Sequence, residues 1–248
     1  MDQKLRIDLN CDVGEGVGNE TQLLPMISSC NIACGGHAGN ESSIRTILRL
    51  AKTHKVKAGA HPSYPDRVNF GRISMKISGD ALKLSIQEQL ERFFTIAEEE
   101  GVSVFHIKPH GALYNDIARD ESLAEVFLTA SVDYLTERVL FAPFGSVIAQ
   151  RAREAGITVW YEAFADRNYN KDLSLVSRKK EQALITDPEG MKEHVLRIVK
   201  EGLVETIAGD RLPIKAQTFC VHGDTPNAVS LLKQLIAALE TELIRIDK

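Results

Sequence analysis

The sequence is short of the features that mark several large classes of protein. None of its apolar runs approaches the roughly 18 residues that a membrane-spanning helix needs. Its formal net charge of -4 at pH 7 lacks the basic excess of a nucleic-acid-binding surface. Its beginning, MDQKLRIDLN, enters a strand pattern at once and lacks the apolar core of a signal peptide. We therefore expect a cytoplasmic protein that binds neither membranes nor nucleic acids.

Cysteine is scarce, with 4 residues in the chain. Cys30 and Cys34 are four positions apart, and no second pair completes the spacing of a zinc site. A cysteine nucleophile has no specific support in this pattern. We therefore expect reduced and mostly buried thiols at Cys11, Cys30, Cys34 and Cys220.

Familiar nucleotide-binding loops are absent as well. No GxxxxGKS or GxxxxGKT segment occurs, and neither glycine-rich stretch, 14–18 or 35–39, has the spacing of a dinucleotide-binding fingerprint. These glycines are better explained by a close approach of the backbone to a small ligand. The sequence therefore shows no familiar ATP site.

What the sequence does contain is a regular alternation of strand and helix patterns. Seven short apolar-rich segments predict strands at Leu5–Leu9, Cys30–Cys34, Val56–Ala60, Val102–Lys108, Arg138–Ala142, Ile157–Ala163 and Gln217–Val221. Among the helices between them, Asp187-Pro188 and Thr225-Pro226 each predict an N-cap followed by a first-turn proline. The stretch 173–186 has two apolar segments around a polar centre, a pattern that could form a hairpin insertion. The alternation predicts a parallel sheet, open or closed into a barrel, in a single domain.

Ionisable side chains follow six of the seven predicted strands, at the end where each strand finishes. In the first strand Asp8 and Asn10 alternate with Leu9, so they share the opposite face. The ionisable residues, listed with the polar Asn10, are Asp8, Asn10, Asp12, His37, His61, His106, Lys108, His110, Glu162, Asp166, Arg167, His222 and Asp224. A (β/α) barrel builds its site from the carboxyl ends of its strands, whereas an open sheet uses mainly one crevice. Contributions from nearly every strand therefore favour a closed barrel.

Each of these residues taken singly has an ordinary structural explanation. A histidine at a strand end is often simply hydrogen-bonded, and an aspartate there often caps the next helix. Taken together the residues indicate a site, because buried charges are costly unless they are paired or functional.

Several of these segments resemble those of a known protein family. The matching stretches are DLNCDVGEG (8–16), NIACGGHAG (31–39), GAHPSYPD (59–66) with FGR (70–72), KPHGALYN (108–115), EAFADRNY (162–169) and VHGDTP (221–226). They occur in order along nearly the whole chain and resemble the LamB/YcsF family, also called the 5-oxoprolinase A-subunit family. Asn40 stands where the family pattern usually has Asp, and either residue caps a helix.

The resemblance implies a distorted seven-stranded (β/α) TIM-like barrel, related in architecture to carbohydrate deacetylases. It implies cleavage of the lactam 5-oxo-L-proline (pyroglutamate) to L-glutamate, with ATP as co-substrate of a complex that includes subunits B and C. The missing phosphate loop then indicates that ATP is handled mainly by the partners, or at an unfamiliar site in this chain.

Opening a lactam needs an activated carbonyl, a water molecule, and a proton for the leaving nitrogen. The expected catalytic residues are Asp12, His61, Lys108, His110, Glu162, Asp166, Arg167 and His222, with Asp12 and Glu162 preferred as general base. Lys108 and Arg167 suit a substrate carboxylate or a phosphate. The expected substrate-binding residues are Asp8, Asn10, Glu15, His37, Tyr114 and Asp224.

A divalent metal competes for some of these residues. Asp12, His37 and His61 follow three successive strands and form a mixed set that suits a water-activating metal ion. Two other functions stay open. A stand-alone metal-dependent amidase or carbohydrate deacetylase would turn over without ATP or partners. A non-catalytic substrate-binding subunit would have no need of so many ionisable groups.

Overall fold

The computed structural model describes residues 5–225 and 227–248, and within them ten strands are formed. In chain order they are β1 (Leu5–Val13), β2 (Ser29–Ala33), β3 (Lys57–His61), β4 (Val104–Ile107), β5 (Val139–Pro143), β6 (Thr158–Phe164), β7 (Leu203–Glu205), β8 (Arg211–Pro213), β9 (Thr218–Cys220) and β10 (Ile244–Ile246). Strands β1 to β6 and β9 pair side by side, all in parallel. Because β1 pairs with both β2 and β9, the sheet closes on itself. This confirms the predicted seven-stranded (β/α) barrel.

Helices connect the strands, as expected for parallel pairing. They are α1 (Glu20–Leu23), α2 (Glu41–His54), α3 (Gly79–Glu99), α4 (Gly111–Ile117), α5 (Glu121–Leu135), α6 (Val147–Glu154), α7 (Pro188–Glu201) and α8 (Ala228–Thr241), with short 3-10 turns at Leu24–Met26 and Glu181–Ala183. Helix α2 packs on β2 and β3, while α3 packs on α2 and α5. Over residues 5–225 and 227–248, no helix is long and apolar enough to cross a membrane.

Of the two predicted pairs of an N-cap and a first-turn proline, one is confirmed and one is wrong. Asp187 accepts a hydrogen bond from the Gly190 amide at 2.6 Å and caps α7, with proline in the first turn as predicted. The Thr225 prediction is wrong, because α8 begins at Ala228 after Asn227, which makes no side-chain cap. The Thr225 hydroxyl is instead directed toward a buried carboxylate of the site described below, and Pro226 lies outside the described residues.

Two small pairings were not predicted from the sequence. The first part of β1, Leu5–Ile7, pairs in parallel with β10, while its later residues pair with β2 and β9. Strands β7 and β8 form an antiparallel pair outside the barrel. All of these added strands have only three residues each, too few to show an alternation in sequence.

The stretch 173–186 differs from a self-contained hairpin. Leu175 bridges to Tyr169, and Leu184 bridges to Arg167, so each apolar segment pairs with the chain that follows β6. A 3-10 turn at Glu181–Ala183 lies between them. The stretch is therefore a loop fastened to the carboxyl end of the barrel, and we call it the 173–186 loop.

The two faces of the barrel strands differ sharply in character. On β1, the residues that join the apolar cluster shared with the helices are Leu9, Cys11 and Val13. The alternate residues point into the barrel, and they are Asp8, Asn10 and Asp12. The four cysteines are buried and free, as predicted. The interior of this barrel is thus polar along β1, where barrels of this class usually have branched apolar side chains, while Phe141 on β5 stacks on the ring of His106.

Candidate active site

The deepest polar level inside the barrel is built around Asp8. Its carboxylate accepts hydrogen bonds from Ser29 Oγ at 2.7 Å, Thr218 Oγ1 at 2.6 Å and Lys57 Nζ at 3.2 Å. Asn10 Nδ2 donates to Thr218 Oγ1 at 2.8 Å and links this level to the next. The partners of Asp8 are therefore all protein groups, and the structure places it beneath the mouth of the barrel rather than among the strand-end groups.

The middle level is an amide network centred on Asn31, which the sequence reasoning did not select. Asn31 Nδ2 donates to Asn10 Oδ1 at 2.7 Å and to Asp12 Oδ1 at 2.8 Å. Its Oδ1 lies 2.6 Å from His106 Nε2, so that ring nitrogen carries the proton. Gly59 leaves the space for this ring, because a Cβ there would lie 2.2 Å from His106 Nε2. The network therefore positions the Asp12 carboxylate from the middle level of the barrel interior.

Lys108 stands at the centre of the upper level. Its ammonium lies 2.9 Å from Asp12 Oδ1, 3.0 Å from Glu162 Oε1 and 3.2 Å from Cys220 Sγ. Burial alone would lower the pKa of Lys108, but the Asp12 and Glu162 carboxylates hold it well above its usual range. Burial likewise favours neutral Asp12, and the charges of His61 and Lys108 overcome it and lower the pKa of Asp12. The level is therefore a buried ion triad with both carboxylates close to one ammonium.

Three histidines and one glutamate form a second group at the barrel mouth, and we call it the His/Glu cluster. Its members are Glu15, His37, His61 and His110, whose ligand atoms lie within 4.8 Å of one another. Glu15 reaches the group because it follows β1 between Gly14 and Gly16, which have positive φ angles of 72° and 86° that residues other than glycine rarely adopt. The side chains are almost completely buried, at 0–5% exposure.

Backbone carbonyls fix the orientation of two of these rings. His61 Nδ1 lies 2.7 Å from the Lys108 carbonyl, and His110 Nε2 lies 3.0 Å from the Phe70 carbonyl. Both nitrogens must donate, since a carbonyl oxygen only accepts. Burial lowers the pKa of His110, which favours its neutral form. His110 Nδ1 is then an acceptor, and it faces His61 Nε2 at 2.9 Å.

A histidine–aspartate pair completes the floor of the mouth. His222 Nδ1 lies 3.0 Å from both oxygens of Asp166, and the His222 amide donates to the same carboxylate at 3.0 Å. Burial raises the pKa of Asp166, but the charge of His222 and its hydrogen bonds lower it overall. Thr225 Oγ1 donates to Asp166 at 3.4 Å. Asp166 therefore fixes the ring and leaves the other nitrogen of His222 for chemistry.

Two arginines at the rim were missed by the sequence reasoning. Asp224 Oδ2 lies 2.5 Å from Arg72 Nη2 and 3.3 Å from Arg178 Nη1. Both arginine side chains are about one third exposed. Arg72 belongs to the FGR stretch quoted above, and this was the signal that could have identified it. The rim is therefore a cationic patch bridged by one carboxylate.

Arg167, by contrast, is directed away from this patch. Its Nε donates to the Ala183 carbonyl at 3.2 Å and its Nη2 donates to the Val176 carbonyl at 2.6 Å. The side chain is buried under the 173–186 loop. The structure therefore shows Arg167 fastening that loop, a position that leaves it fewer donors for a substrate anion than Arg72 and Arg178 have.

Two polar atoms beside the ion triad have no hydrogen-bond partner among the described residues. They are Glu162 Oε2 and the Tyr114 hydroxyl, and both are buried. Burial and then the Glu162 charge raise the pKa of Tyr114 well above its usual range, so it stays a neutral donor. Unsatisfied buried groups of this kind are uncommon, and they mark places where a ligand or water binds.

The overall sequence is similar to proteins of one family. The model of the LamB/YcsF family matches residues 7–248. This chain belongs to the LamB/YcsF family. A relative from Acinetobacter baylyi, named as the A-subunit of 5-oxoprolinase, is 43% identical over 247 residues, covering 98% of this chain and 97% of the relative. One of the same name from Pyrococcus horikoshii is 39% identical with the same coverage.

A solved structure supports the same assignment. The lactam utilization protein from Thermus thermophilus is 36% identical and superposes with a TM-score of 0.90, covering 98% of this chain and 99% of that one. For this LamB/YcsF member, the structure brings together eleven of the fourteen residues that the sequence selected around the barrel mouth. They are Asn10, Asp12, Glu15, His37, His61, Lys108, His110, Tyr114, Glu162, His222 and Asp224. Asp166 supports His222 from behind, while Asp8 and Arg167 have the structural positions described above.

Proposed function

We propose that this chain is one subunit of an ATP-dependent 5-oxoprolinase, and that its barrel mouth is where 5-oxo-L-proline is cleaved to L-glutamate. The observation that carries the proposal is the buried triad of Lys108 with Asp12 and Glu162, in a family member 39–43% identical to relatives named for this enzyme. Such a site suits a small polar molecule whose reaction develops charge on oxygen. The proposal places the reaction in the cytoplasm, where ATP is available.

The proposed reaction consumes ATP through partners. The relatives are named as one lettered subunit of an enzyme, which supports a complex of several chains, and we propose subunits B and C as the partners of this one. Phosphorylation of the lactam oxygen would make the carbonyl carbon more electrophilic. One water molecule then attacks that carbon, and the C–N bond breaks with a proton passing to nitrogen, which leaves the side-chain carboxyl of glutamate as an acyl phosphate. A second water molecule hydrolyses this acyl phosphate and releases L-glutamate and phosphate. This chain has to bind an anion, neutralise charge on oxygen and move two protons.

The residues divide these tasks by their positions. The Lys108 ammonium is the group best placed to neutralise charge on the reacting oxygen, since it is buried and fixed. The rim arginines, Arg72 and Arg178, suit the substrate carboxylate or a phosphate. His222 suits proton transfer, because Asp166 fixes its ring and stays ionised beside it.

The general base needs a revised proposal. From the sequence, Asp12 and Glu162 were the preferred candidates for the general base. Asp12 is held ionised with a lowered pKa by Lys108 and His61, which makes it a weak base. Glu162 Oε2 is free of protein partners among the described residues and is better suited to accept the lactam N–H, with the Tyr114 hydroxyl as a neighbouring donor. We therefore prefer His222 as the base, with Asp12 positioning Lys108 and His61.

The deciding experiment measures glutamate formed from 5-oxoproline by this chain with subunits B and C and ATP. Glutamate should form with all components and fall to background when this chain or ATP is omitted. His222→Gln should remove most of the activity, and the matched variant His194→Gln, at a buried histidine in α7, should retain it. Lack of glutamate with every component present would exclude the proposed function.

One other function has a specific observation behind it. The His/Glu cluster is compatible with a metal-dependent amidase or carbohydrate deacetylase that acts alone. Such an enzyme would hydrolyse amide or acetyl substrates without ATP and without partner subunits. A non-catalytic binding subunit is disfavoured by the charged triad, and it would leave His222→Gln fully active in the complex.

A further inference from the structure

We infer that Glu15, His37, His61 and His110 form a binding site for one divalent transition-metal ion of the zinc type. The inference rests on the geometry of the His/Glu cluster and is independent of the proposed function. It also changes the ligand set expected from the sequence. Asp12 belongs to the neighbouring ion triad, while Glu15 and His110 join His37 and His61.

The distances between the ligand atoms fit a single central ion. Glu15 Oε1 lies 2.9 Å from His37 Nε2, 3.4 Å from His110 Nδ1 and 4.0 Å from His61 Nε2. His61 Nε2 and His110 Nδ1 are 2.9 Å apart. Ligands about 2.1 Å from one ion lie about 3.0 Å apart at a right angle and about 3.4 Å apart at the tetrahedral angle. The four atoms therefore enclose a space of the size of one ion, although the His37 and His110 rings stack in parallel at 3.6 Å, so only one of these two lone pairs points directly at it.

The fixed tautomers supply a second, independent reason. The Lys108 and Phe70 carbonyls hold the protons of His61 and His110 on the nitrogens facing away from the cluster. The two nitrogens that face the cluster are only 2.9 Å apart, so either a proton or a metal ion must lie between them. Ring nitrogens that donate to backbone carbonyls while their partners face a shared point are typical of metal-binding histidines.

The kind of ion follows from the donor atoms. Three imidazole nitrogens and one carboxylate suit zinc and its first-row neighbours, whereas magnesium and calcium prefer oxygen ligands. When bound, such an ion would supply a Lewis acid or an activated water beside Asp12, whose Oδ2 lies 3.4 Å from His61 Nε2.

The four ligands should not contribute equally. His61 and His110 have carbonyl partners that orient their rings. His37 Nδ1 is buried and has no hydrogen-bond partner among residues 5–225 and 227–248. His37 is therefore the ligand whose loss should weaken metal binding least.

A second group nearby competes for the same ion. Asp12, Cys220 and His222 also place ligand atoms within 4.8 Å of one another. The Lys108 ammonium lies 3.2 Å from Cys220 Sγ and 2.9 Å from Asp12 Oδ1, and its positive charge disfavours a cation there. Cys220→Ser therefore makes a matched control that tests this alternative.

The experiment removes metal from the full chain with a chelator and then titrates Zn²⁺ or Co²⁺. Mass spectrometry gives the metal content and the Co²⁺ absorption spectrum reports nitrogen ligation, so no readout needs activity. We expect one ion per chain, retained in Cys220→Ser and His194→Gln. Affinity should fall in His61→Ala, His110→Ala and Glu15→Gln by more than the roughly 10- to 100-fold typical of losing a group that only orients a ligand. His37→Ala should lose less than these three.

Three results would overturn the inference. The first is a metal-free wild-type chain that binds neither ion stoichiometrically, which would leave a shared proton between His61 and His110. The second is loss of the ion in Cys220→Ser, which would place it in the neighbouring group. The third is unchanged affinity in His61→Ala and His110→Ala when their metal-free circular dichroism matches wild type, which rules out misfolding.

Discussion

The two faces of the barrel strands are built on different physical principles. The outward face is an apolar layer in which Leu9 and Ile32 belong to the cluster shared with the helices. The inward face is a chain of hydrogen bonds and ion pairs that runs from Asp8 up to Lys108. On the outer face each buried methylene contributes separately to the unfolding free energy, so the effect of a substitution depends on how much apolar surface it removes. The inner face acts as a unit, since removing one member leaves its partners buried and unsatisfied.

The largest expected effect comes from Lys108→Met, which tests the inner face directly. The change leaves the Asp12 and Glu162 carboxylates buried without their cation, and we expect a loss of about 3–5 kcal/mol in unfolding free energy. Urea denaturation measures it. The matched change Lys192→Met removes a partly exposed side chain whose ammonium pairs with Glu189 at the surface, and it should leave the midpoint close to the parent value. Equal midpoints for the two variants would contradict the view that the interior depends on charge pairing.

A buried histidine on the outer side sharpens the comparison through pH. His194 in α7 donates from Nε2 to the Phe164 carbonyl at 3.1 Å, and burial lowers its pKa to about 4. The unfolded chain takes up this proton at about pH 6.5. Stability from neutral His194 is therefore complete above about pH 6.5, and it is lost as pH falls toward about 4. The loss reaches about 3 kcal/mol.

His194→Gln provides the check on this pH dependence, because glutamine can still donate to the carbonyl and does not titrate. Urea denaturation at several pH values should give a shallower slope for the variant between about pH 6.5 and 4. Below and above that window, the unfolding free energies of the two proteins should change with pH at the same rate. Identical slopes throughout would show that His194 is not held neutral in the fold.

Two adjacent residues of β2 give the closest test of the difference between the faces. Asn31→Leu removes the hub that bonds Asn10, Asp12 and His106, and should cost about 1–3 kcal/mol. Ile32→Val removes one methylene from the outer layer and should cost about 1 kcal/mol. Only the inner change should also disturb the Lys108 environment, seen as lost activity in the reconstituted assay. A larger effect from Ile32→Val would reverse the comparison.

Much of this arrangement could be predicted from the sequence, for a physical reason. Alternation along a strand assigns faces without any knowledge of the rest of the chain, and the strand ends of a closed ring meet at one place. Parity alone therefore predicted that Asp8 and Asn10 share one face of β1, and the structure places that face inside the barrel.

The paths of the loops, and the groups with which their polar side chains pair, could not be predicted in this way. Glu15 joins the histidines through a glycine turn whose path depends on two positive φ angles. Arg167 fastens the 173–186 loop while Arg178, within that loop, reaches Asp224. Thr225 serves Asp166 and leaves its helix uncapped by its side chain. Each outcome depends on which distant groups meet in space, and no local pattern encodes that.

The closure of the ring on β1 has a consequence for how the chain reaches its folded state. The hydrogen bond from Thr218 to Asp8 joins residues 210 positions apart. Contacts of such separation need a long loop to close first, and folding slows as their share grows. Because β9 pairs with both β1 and β6, any sheet that the first six strands form before β9 leaves the ribosome has these two strands as open edges. That interval is when the nascent chain most needs protection against pairing with its neighbours.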